Sequence, residues 1–571
     1  MKVLLIYPYF LDERISPEDV SAIPMGVYYV GALLKENSYD VEILNWYDTN
    51  RTPQKIQDVL REKRPDIIGV SVLHANRWGG IEVARIAKRL DPEVKVVFGG
   101  VGATFLWEHL LNNFSEIDFI VLGEGEHTFL ELVTLLDHEE NEKIENISGI
   151  AYRRGDKAIR TKDREQVKNL DELPVPAKYF TYQHVSSTRG CPGNCYFCGS
   201  PFFWGRGVRY HSPDYFVQQL ELLYRKGVKF FFFSDDTFTI KEKRVIEICK
   251  KIIERNLNIN WAAISRVNYV SEEMLFWMRK AGCIQISYGV ESGSERIRRR
   301  LNKGIKQDQI RKAFALTTQF GILARAYFIY GCPEESWETI HETLDLINEI
   351  KPLSTIFYIL DIFPGTALYS DFQRRCKVTD DIWLNKVEDI MYFETDPKLS
   401  REKILAFGEK LRSEYYAKLP SFADSIVVID KKELYENHSD FFSRLAMTFS
   451  HGDYAGIEGI KGKEAVAERL YLRSLTYYPD HRAYLGLGIL KQKGGKHKEA
   501  INILSQGLES FPGSLDLNMC LGISHMNMGE YERALLYLLK FKDSKEMSYY
   551  IAECYRALGD PEKEAFFRER S

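Results

Sequence analysis

The chain has 571 residues, enough for roughly three or four domains with cores of their own. Hydrophobic residues make up 45% of it and charged residues 28%, and a formal net charge of -4 with no long basic run argues against nucleic acid held by bulk charge. No apolar run is long enough to span a membrane, and the apolar start, cut by Pro8 and followed by Asp12, Glu13 and Arg14, reads as a buried first strand and not an export signal, so a reducing cytoplasm is expected.

Residues 1–140 alternate short Val/Ile-rich runs with stretches long enough for crossover helices. The runs are Val3–Tyr7, Val41–Leu44, Ile67–Val72, Val94–Phe98 and Phe119–Leu122. That rhythm predicts a five-stranded, doubly wound parallel sheet. Ligands of such sheets sit beyond the carboxyl ends of the strands, which brings forward Ser71, Gly99, Gly100, Thr104, Gly123 and Glu124. Adjacent glycines let backbone approach a large flat ligand, although on spacing alone plain turns account for them better. Residues 141–185 read as a hairpin and linker: Ile150–Tyr152 and Ala158–Thr161 flank Arg-Arg-Gly-Asp, and Leu-Pro-Val-Pro-Ala is a stiff connector.

Cys191, Cys195 and Cys198 then form CxxxCxxC, three of only nine cysteines in the chain. In a reducing compartment such crowding points to metal before disulfides. A closed zinc site needs a fourth ligand, which His184 or His211 would have to supply, whereas three thiolates on an iron-sulfur cubane leave one iron open for chemistry. From 186 to about 370 the alternation resumes with candidate strands Val185–Thr188, Phe230–Ser234, Trp261–Arg266, Ile284–Gly289, Ala324–Tyr330 and Ser354–Ile362, predicting a partial barrel. Barrel chemistry lies at the strands' carboxyl ends, where the cysteine loop, Asp235, Asp236, Arg266, Glu291 and Cys332 fall. Singly, each has a structural alternative: helix caps for the aspartates, an ion pair for Arg266, a buried thiol for Cys332.

Together these features resemble the radical S-adenosylmethionine (radical SAM) superfamily, in the group with an N-terminal cobalamin-binding domain. The resemblance implies a 4Fe-4S cluster on Cys191, Cys195 and Cys198, and SAM on the open iron. It implies SAM contacts from Phe197 near the adenine, Asp235 and Asp236 near the amino group, Arg266 near the carboxylate and Glu291 near the ribose. It also implies cobalamin against Ser71, Gly99, Gly100, Thr104, Gly123 and Glu124. Two departures stand out. Residues 9–14 contain no His, so the cobalt-ligating Asp-x-His-x-x-Gly motif is missing, and Gly102 stands where relatives often place His. The implied activity is cleavage of SAM to a 5′-deoxyadenosyl radical for cobalamin-dependent methylation of an unactivated carbon, with a reduced flavodoxin or ferredoxin-type electron donor. Cyclisation, rearrangement or oxidation without cobalamin is the alternative within the superfamily. A zinc-stabilised scaffold without enzymatic activity is the alternative outside it.

Past about 420 the pattern is purely helical. Gly488, Gly495 and Ala500 recur 34 residues later as Gly522, Gly529 and Ala534, and Ala552, Gly559 and Ala565 suggest a further unit. The period resembles tetratricopeptide repeats, which implies a protein or peptide partner. The expected organisation is therefore α/β multidomain: a cobalamin-binding Rossmann-like domain over 1–140, a hairpin and linker over 141–185, a partial (β/α)6 barrel with extension over 186–420, and an all-α repeat array over 437–571.

Overall fold

The computed structural model describes residues 1–8, 22–46, 53–387 and 389–571. The stretch expected to lack a cobalt-ligating histidine, 9–14, lies outside the described residues. The chain divides into two compact units, one of residues 1–313, 325–346 and 355–409, the other of 314–324, 347–354 and 410–571.

The first unit opens with a parallel sheet of β1 (Lys2–Pro8), β2 (Asp40–Trp46), β3 (Ile67–Ser71), β4 (Lys95–Gly99) and β5 (Phe119–Val121). In β1 every residue from Val3 to Pro8 is buried, as expected of a central strand covered on both faces. The sheet is two strands larger than expected. The hairpin β6 (Ile150–Arg154) and β7 (Lys157–Arg160) adds to its edge antiparallel to β5, giving the order β2-β1-β3-β4-β5-β6-β7. The hairpin turns on Gly155, at φ +60°, which suits a two-residue connection. Because β2 and β3 flank β1 on opposite sides, the sheet's switch point lies between β1 and β3, where a ligand crevice opens beyond the strand ends.

The next strands are β8 (His184–Val185), β9 (Thr188–Arg189), β10 (Arg209–Tyr210), β11 (Phe230–Phe233), β12 (Asn260–Ser265), β13 (Cys283–Glu291), β14 (Leu323–Tyr330) and β15 (Ser354–Ile359). Six of them form an open sheet in the order β15-β14-β13-β12-β11-β8, the partial barrel. Its first strand is shorter than expected. The run read as Val185–Thr188 breaks after Val185, and Thr188–Arg189 turns to pair antiparallel with Arg209–Tyr210. Asp235 causes the break, since its Oδ1 accepts from the Ser187 amide (3.0 Å) and the Ser187 and Thr188 hydroxyls (2.9 and 2.6 Å). Phe231 and Phe233 bury under the helices, Phe233 stacking on Trp261 at 4.3 Å, while Phe232 is exposed.

In the second unit the 34-residue period becomes helix packing. A Cβ on Gly488 would come within 2.5 Å of Leu504, and one on Gly522 within 2.6 Å of Leu538. Gly495, Gly529 and Gly559 end their helices at φ +69°, +75° and +73°, a conformation glycine adopts without strain. Ala500, Ala534 and Ala552 are buried, whereas Ala565 is exposed.

Candidate functional site

The cysteine loop follows β9. It turns on Gly190 (φ +97°), where a Cβ would meet the Gly207 carbonyl at 2.5 Å. Cys195 is buried, and Cys191 and Cys198 are half-buried. Polar groups surround the sulfurs. The Gly193 amide donates to Cys191 Sγ (3.4 Å), the Thr237 hydroxyl lies 3.5 Å from the same sulfur, and Arg266 Nη1 donates to Cys195 Sγ (3.6 Å). Burial pushes the Cys198 thiol up to about 11, so a thiolate there needs a cationic partner. The loop is fastened to the segment after the Glu295–Arg300 helix: the Tyr196 amide donates to the Leu301 carbonyl (2.9 Å) and Asn302 Nδ2 to the Asn194 carbonyl (2.6 Å). Among the described residues no three His, Cys, Asp or Glu side chains are grouped to hold a single metal ion. His184 and His211 bond elsewhere, to Ser234 Oγ (2.9 Å) and to Tyr29 and Asp171.

The two aspartates of the Asp-Asp loop have different environments. Asp235 is fully buried and its Oδ1 is committed to the β8–β9 corner, whereas Asp236 lines a cavity and accepts from Ser200 Oγ (2.6 Å). Burial raises both carboxyls above the ordinary range. Phe197 is half-buried within the cysteine loop. Glu291 closes β13 at φ +67°, unusual for a residue with a side chain, and pairs with the buried Lys303 ammonium. Arg266 Nη2 donates to the Lys303 carbonyl. Cys332 is buried with its thiol on the Ile329 carbonyl (3.7 Å), a structural thiol whose burial raises it well above the ordinary range.

A cavity of about 550 Å³ opens beyond the carboxyl ends of the first sheet and reaches the barrel's mouth. Ser71, Gly99, Gly100, Gly123 and Glu124 line it from the sheet, and Ser186, Thr188, Arg189, Trp204 and Asp236 from the barrel. The size and mixed lining suit a cofactor site. Among the described residues nothing lies within 4 Å of where a Cβ on Gly123 (φ +66°) would stand, whereas Gly100, at φ +93°, has the Val72 carbonyl 2.8 Å from that position. Thr104 is absent from the lining. Its hydroxyl donates to the Gly100 carbonyl (2.8 Å) and accepts from the Gly123 amide (3.0 Å), tying the two glycine turns together.

Glu124 is likewise engaged by protein. Arg189 Nη1 donates to its Oε1 (2.7 Å), Arg209 Nη1 to its Oε2 (2.9 Å), and the Val167 amide to its Oε2 (2.7 Å). Burial alone would raise this carboxyl, but Arg209 and Arg189 hold it below the usual carboxylate range. Arg189 Nη2 donates to Glu126, and the guanidinium stands over the rings of Tyr29 (5.2 Å) and Trp204 (5.6 Å). Behind it the Tyr29 hydroxyl lies 3.0 Å from His211 Nε2, and His211 Nδ1 lies 3.2 Å from Asp171 Oδ1. Burial and the Arg189 charge push His211 down to about 3, leaving a neutral ring that donates from Nδ1 and accepts at Nε2. Sequence reasoning did not single out Arg189 or Tyr29, and it brought Glu126 forward only as the last residue of the Gly-Glu-Gly-Glu turn after the fifth strand, without a partner. The available signals were their neighbours, Arg189 standing two residues before Cys191 and Glu126 two after Glu124.

A glycine-turned parallel sheet joined to a partial barrel, with three thiols at the barrel's mouth, defines a two-cofactor α/β enzyme. Family models agree: the radical SAM superfamily matches residues 185–347 and the B12 binding domain residues 20–133. An uncharacterized methyltransferase of Pyrococcus horikoshii is 33% identical over 381 residues, 65% of this chain and 82% of the relative. The anaerobic magnesium-protoporphyrin IX monomethyl ester cyclase of Rubrivivax gelatinosus is 29% identical, over 64% of this chain and 69% of that protein. Among solved structures, the radical SAM methyltransferase TsrM of Kitasatospora setae, with cobalamin and a [4Fe-4S] cluster bound, superposes with a TM-score of 0.59 at 17% identity, over 83% of this chain and 100% of that one, a likeness of fold. The chain belongs to the radical SAM superfamily and carries a B12-binding domain ahead of its radical SAM domain. That membership brings a 4Fe-4S cluster, SAM and cobalamin as its cofactors. The donor set fits them: three thiols with N–H donors around them, and an open glycine-lined cavity beyond the sheet.

Proposed function

We propose that this chain methylates an unactivated carbon of its substrate by cobalamin-dependent radical chemistry. The observation that carries the reading is the single cavity lined both by the glycine turns of the B12-binding sheet and by the barrel mouth next to the cysteine loop. In this reading Cys191, Cys195 and Cys198 each hold one iron. A cubane presents its irons at separate corners, which suits thiols that do not converge on one ion. When bound, the cluster supplies the electron that splits SAM into methionine and a 5′-deoxyadenosyl radical, and cobalamin supplies the methyl group. In the same reading Asp236, which lines the cavity, would accept from the SAM ammonium, and Phe197, half-buried in the cysteine loop, would lie against the adenine. Ser71, Gly99, Gly100 and Gly123 would let the corrin approach backbone, while Thr104 ties the two glycine turns together from outside the lining and Glu124, in the lining, is held by Arg189 and Arg209. The apolar walls, among them Leu73, Phe203 and Trp204, exclude water from the reacting groups.

An external flavodoxin or ferredoxin-type protein is the proposed electron donor, and the nine free cysteines suit a reducing cytoplasm. The second unit is read as a tetratricopeptide-like array for a protein or peptide partner, because its glycine and leucine contacts repeat with the 34-residue period. Anaerobic reconstitution with iron, sulfide and hydroxocobalamin, then desalting, should leave about four irons and one cobalt per chain. SAM and a reductant should then yield deoxyadenosine, and Cys195→Ala should lose both iron and deoxyadenosine. Deoxyadenosine formation that survives in that variant contradicts the cluster assignment. Iron without cobalt contradicts the methylation reading and leaves cyclisation, rearrangement or oxidation.

A further inference from the structure

Arg266 has surroundings that differ from those of a SAM contact. The resemblance puts it at the SAM carboxylate, yet its guanidinium is buried inside the cysteine loop. Nη1 donates to Cys195 Sγ (3.6 Å) and Nη2 to the Lys303 carbonyl. A Cβ built on Gly193 would stand 2.9 Å from Nη1 and 3.4 Å from Cys191 Sγ. The guanidinium therefore occupies room that only a glycine leaves between the first two cysteines. Its backstop is also fixed. Lys303 is held at its ammonium by Glu291 and at its amide by the Arg298 carbonyl (3.0 Å), so the carbonyl that receives Nη2 cannot drift.

We infer that Arg266 is a positioning and tuning residue for the cluster, acting through Cys195: it places a fixed charge and an N–H donor on one thiolate ligand and so raises the cluster's reduction potential. The physical ground is general. Reduction adds negative charge, and a cation or donor beside a ligating sulfur stabilises the reduced state more than the oxidised one. In a buried site of low dielectric the effect is large, and a guanidinium cannot shed its charge to escape it. This inference rests on the radical SAM reading of the cysteine loop and reassigns one residue within it.

The test is an anaerobic EPR-monitored redox titration of the reconstituted full-length protein without SAM, with iron counted in every sample. For Arg266→Gln the reduced-to-oxidised ratio at a fixed potential should fall about tenfold, a downward shift of about 59 mV for a one-electron couple. Arg266→Lys, which keeps the charge and loses the forked geometry, should recover part of that shift. SAM affinity, measured in parallel by equilibrium dialysis, should change by no more than about twofold, since the lost interaction is with the ligand thiolate. An unshifted potential in an Arg266→Gln protein that retains its iron overturns the inference, and a large loss of SAM affinity beside it returns Arg266 to the carboxylate. If Arg266→Gln fails to hold iron, Arg266→Lys decides alone: a downward shift supports the inference and no shift overturns it. Wild-type protein that binds no iron would instead overturn the function proposed above.

Discussion

His211 makes the first unit sensitive to mild acid in a way that can be calculated. It is buried between Tyr29 and Tyr215, whose ring stacks on it at 4.1 Å, and its nearest charges are Arg189, Arg244 and Asp171. Burial and Arg189 favour the neutral ring, and Asp171 only partly opposes them, so the folded value of about 3 lies below the ordinary 6.5. As pH falls below about 6.5 the unfolded chain therefore takes up a proton that the folded chain refuses, and stability complete above that value is lost progressively. The loss approaches about 1.4 kcal/mol per pH unit, or about 2 kcal/mol between pH 7 and pH 5. Urea unfolding followed by tryptophan fluorescence at both pH values measures it. The chain has 12 histidines, so the diagnostic quantity is the difference between wild type and His211→Gln, which keeps a donor and an acceptor but does not titrate. The variant should lose less stability on acidification by about that 2 kcal/mol. Equal losses in the two proteins would refute the argument.

Two further substitutions test the packing around the cavity. Arg189→Met leaves Glu126 buried without its cation and removes one of two cations from Glu124, which should cost about 3–5 kcal/mol in urea unfolding; adding Glu126→Gln should return part of that, and strict additivity would argue against a coupled pair. Gly102→Ala puts a Cβ 2.6 Å from the Leu73 carbonyl carbon and oxygen and 2.9 Å from the His74 amide, all backbone, so it should cost about 1–3 kcal/mol and weaken cobalamin retention on desalting; wild-type behaviour in both assays would refute this.

The parallel strands of the first sheet were legible because each is a short run rich in Val, Ile or Leu, and β1 to β5 appear where those runs fall; β1, β3 and β4 are buried along most of their length, whereas β2 at the sheet's end buries only Val41. The hairpin was equally legible at Gly155, but its union with β5 was not, since edge pairing is a long-range choice that no local pattern encodes. The early break of the barrel's first strand was hidden for the same reason: Val185 and Thr188 bracket the run with β-branched residues, and it is Asp235, 48 residues beyond Ser187, that takes the Ser187 amide out of the ladder. Among candidate site residues, those that line the cavity through backbone were readable as glycines after strands. Those whose side chains could serve either ligand or protein were not, and Thr104, Glu124, Asp235 and Arg266 all turn to protein partners. The clash at Gly102 likewise explains why a histidine does not stand there in this chain: the backbone after β3 takes up the space.

The buried charge cluster shows why such partners matter to chemistry more than to stability. Arg189 stands two residues before Cys191, and its acceptors flank Gly125 just after β5. The same guanidinium therefore fixes the approach to the cysteine loop and the turn at the cavity's other wall. A buried ion pair returns little net stability over apolar residues of equal volume, because desolvation offsets most of the attraction. Its value here is directional: two arms of one planar group accept only one placement of two carboxylates. Radical transfer depends on sub-ångström placement of reacting atoms carried by different segments of chain, and a hydrophobic replacement at Arg189 would fill the volume without setting that register. The tyrosine, histidine and aspartate behind Arg189 extend the same restraint. His211 is kept neutral so that it can join Tyr29 to Asp171, and its amide and carbonyl tie to the carbonyl of Ser187 and the side chain of Arg244. The stretch leading into the cysteine loop, the turn around Gly125 and the first barrel strand are thus held by two polar groups that meet where the Arg189 guanidinium stands over the Tyr29 ring.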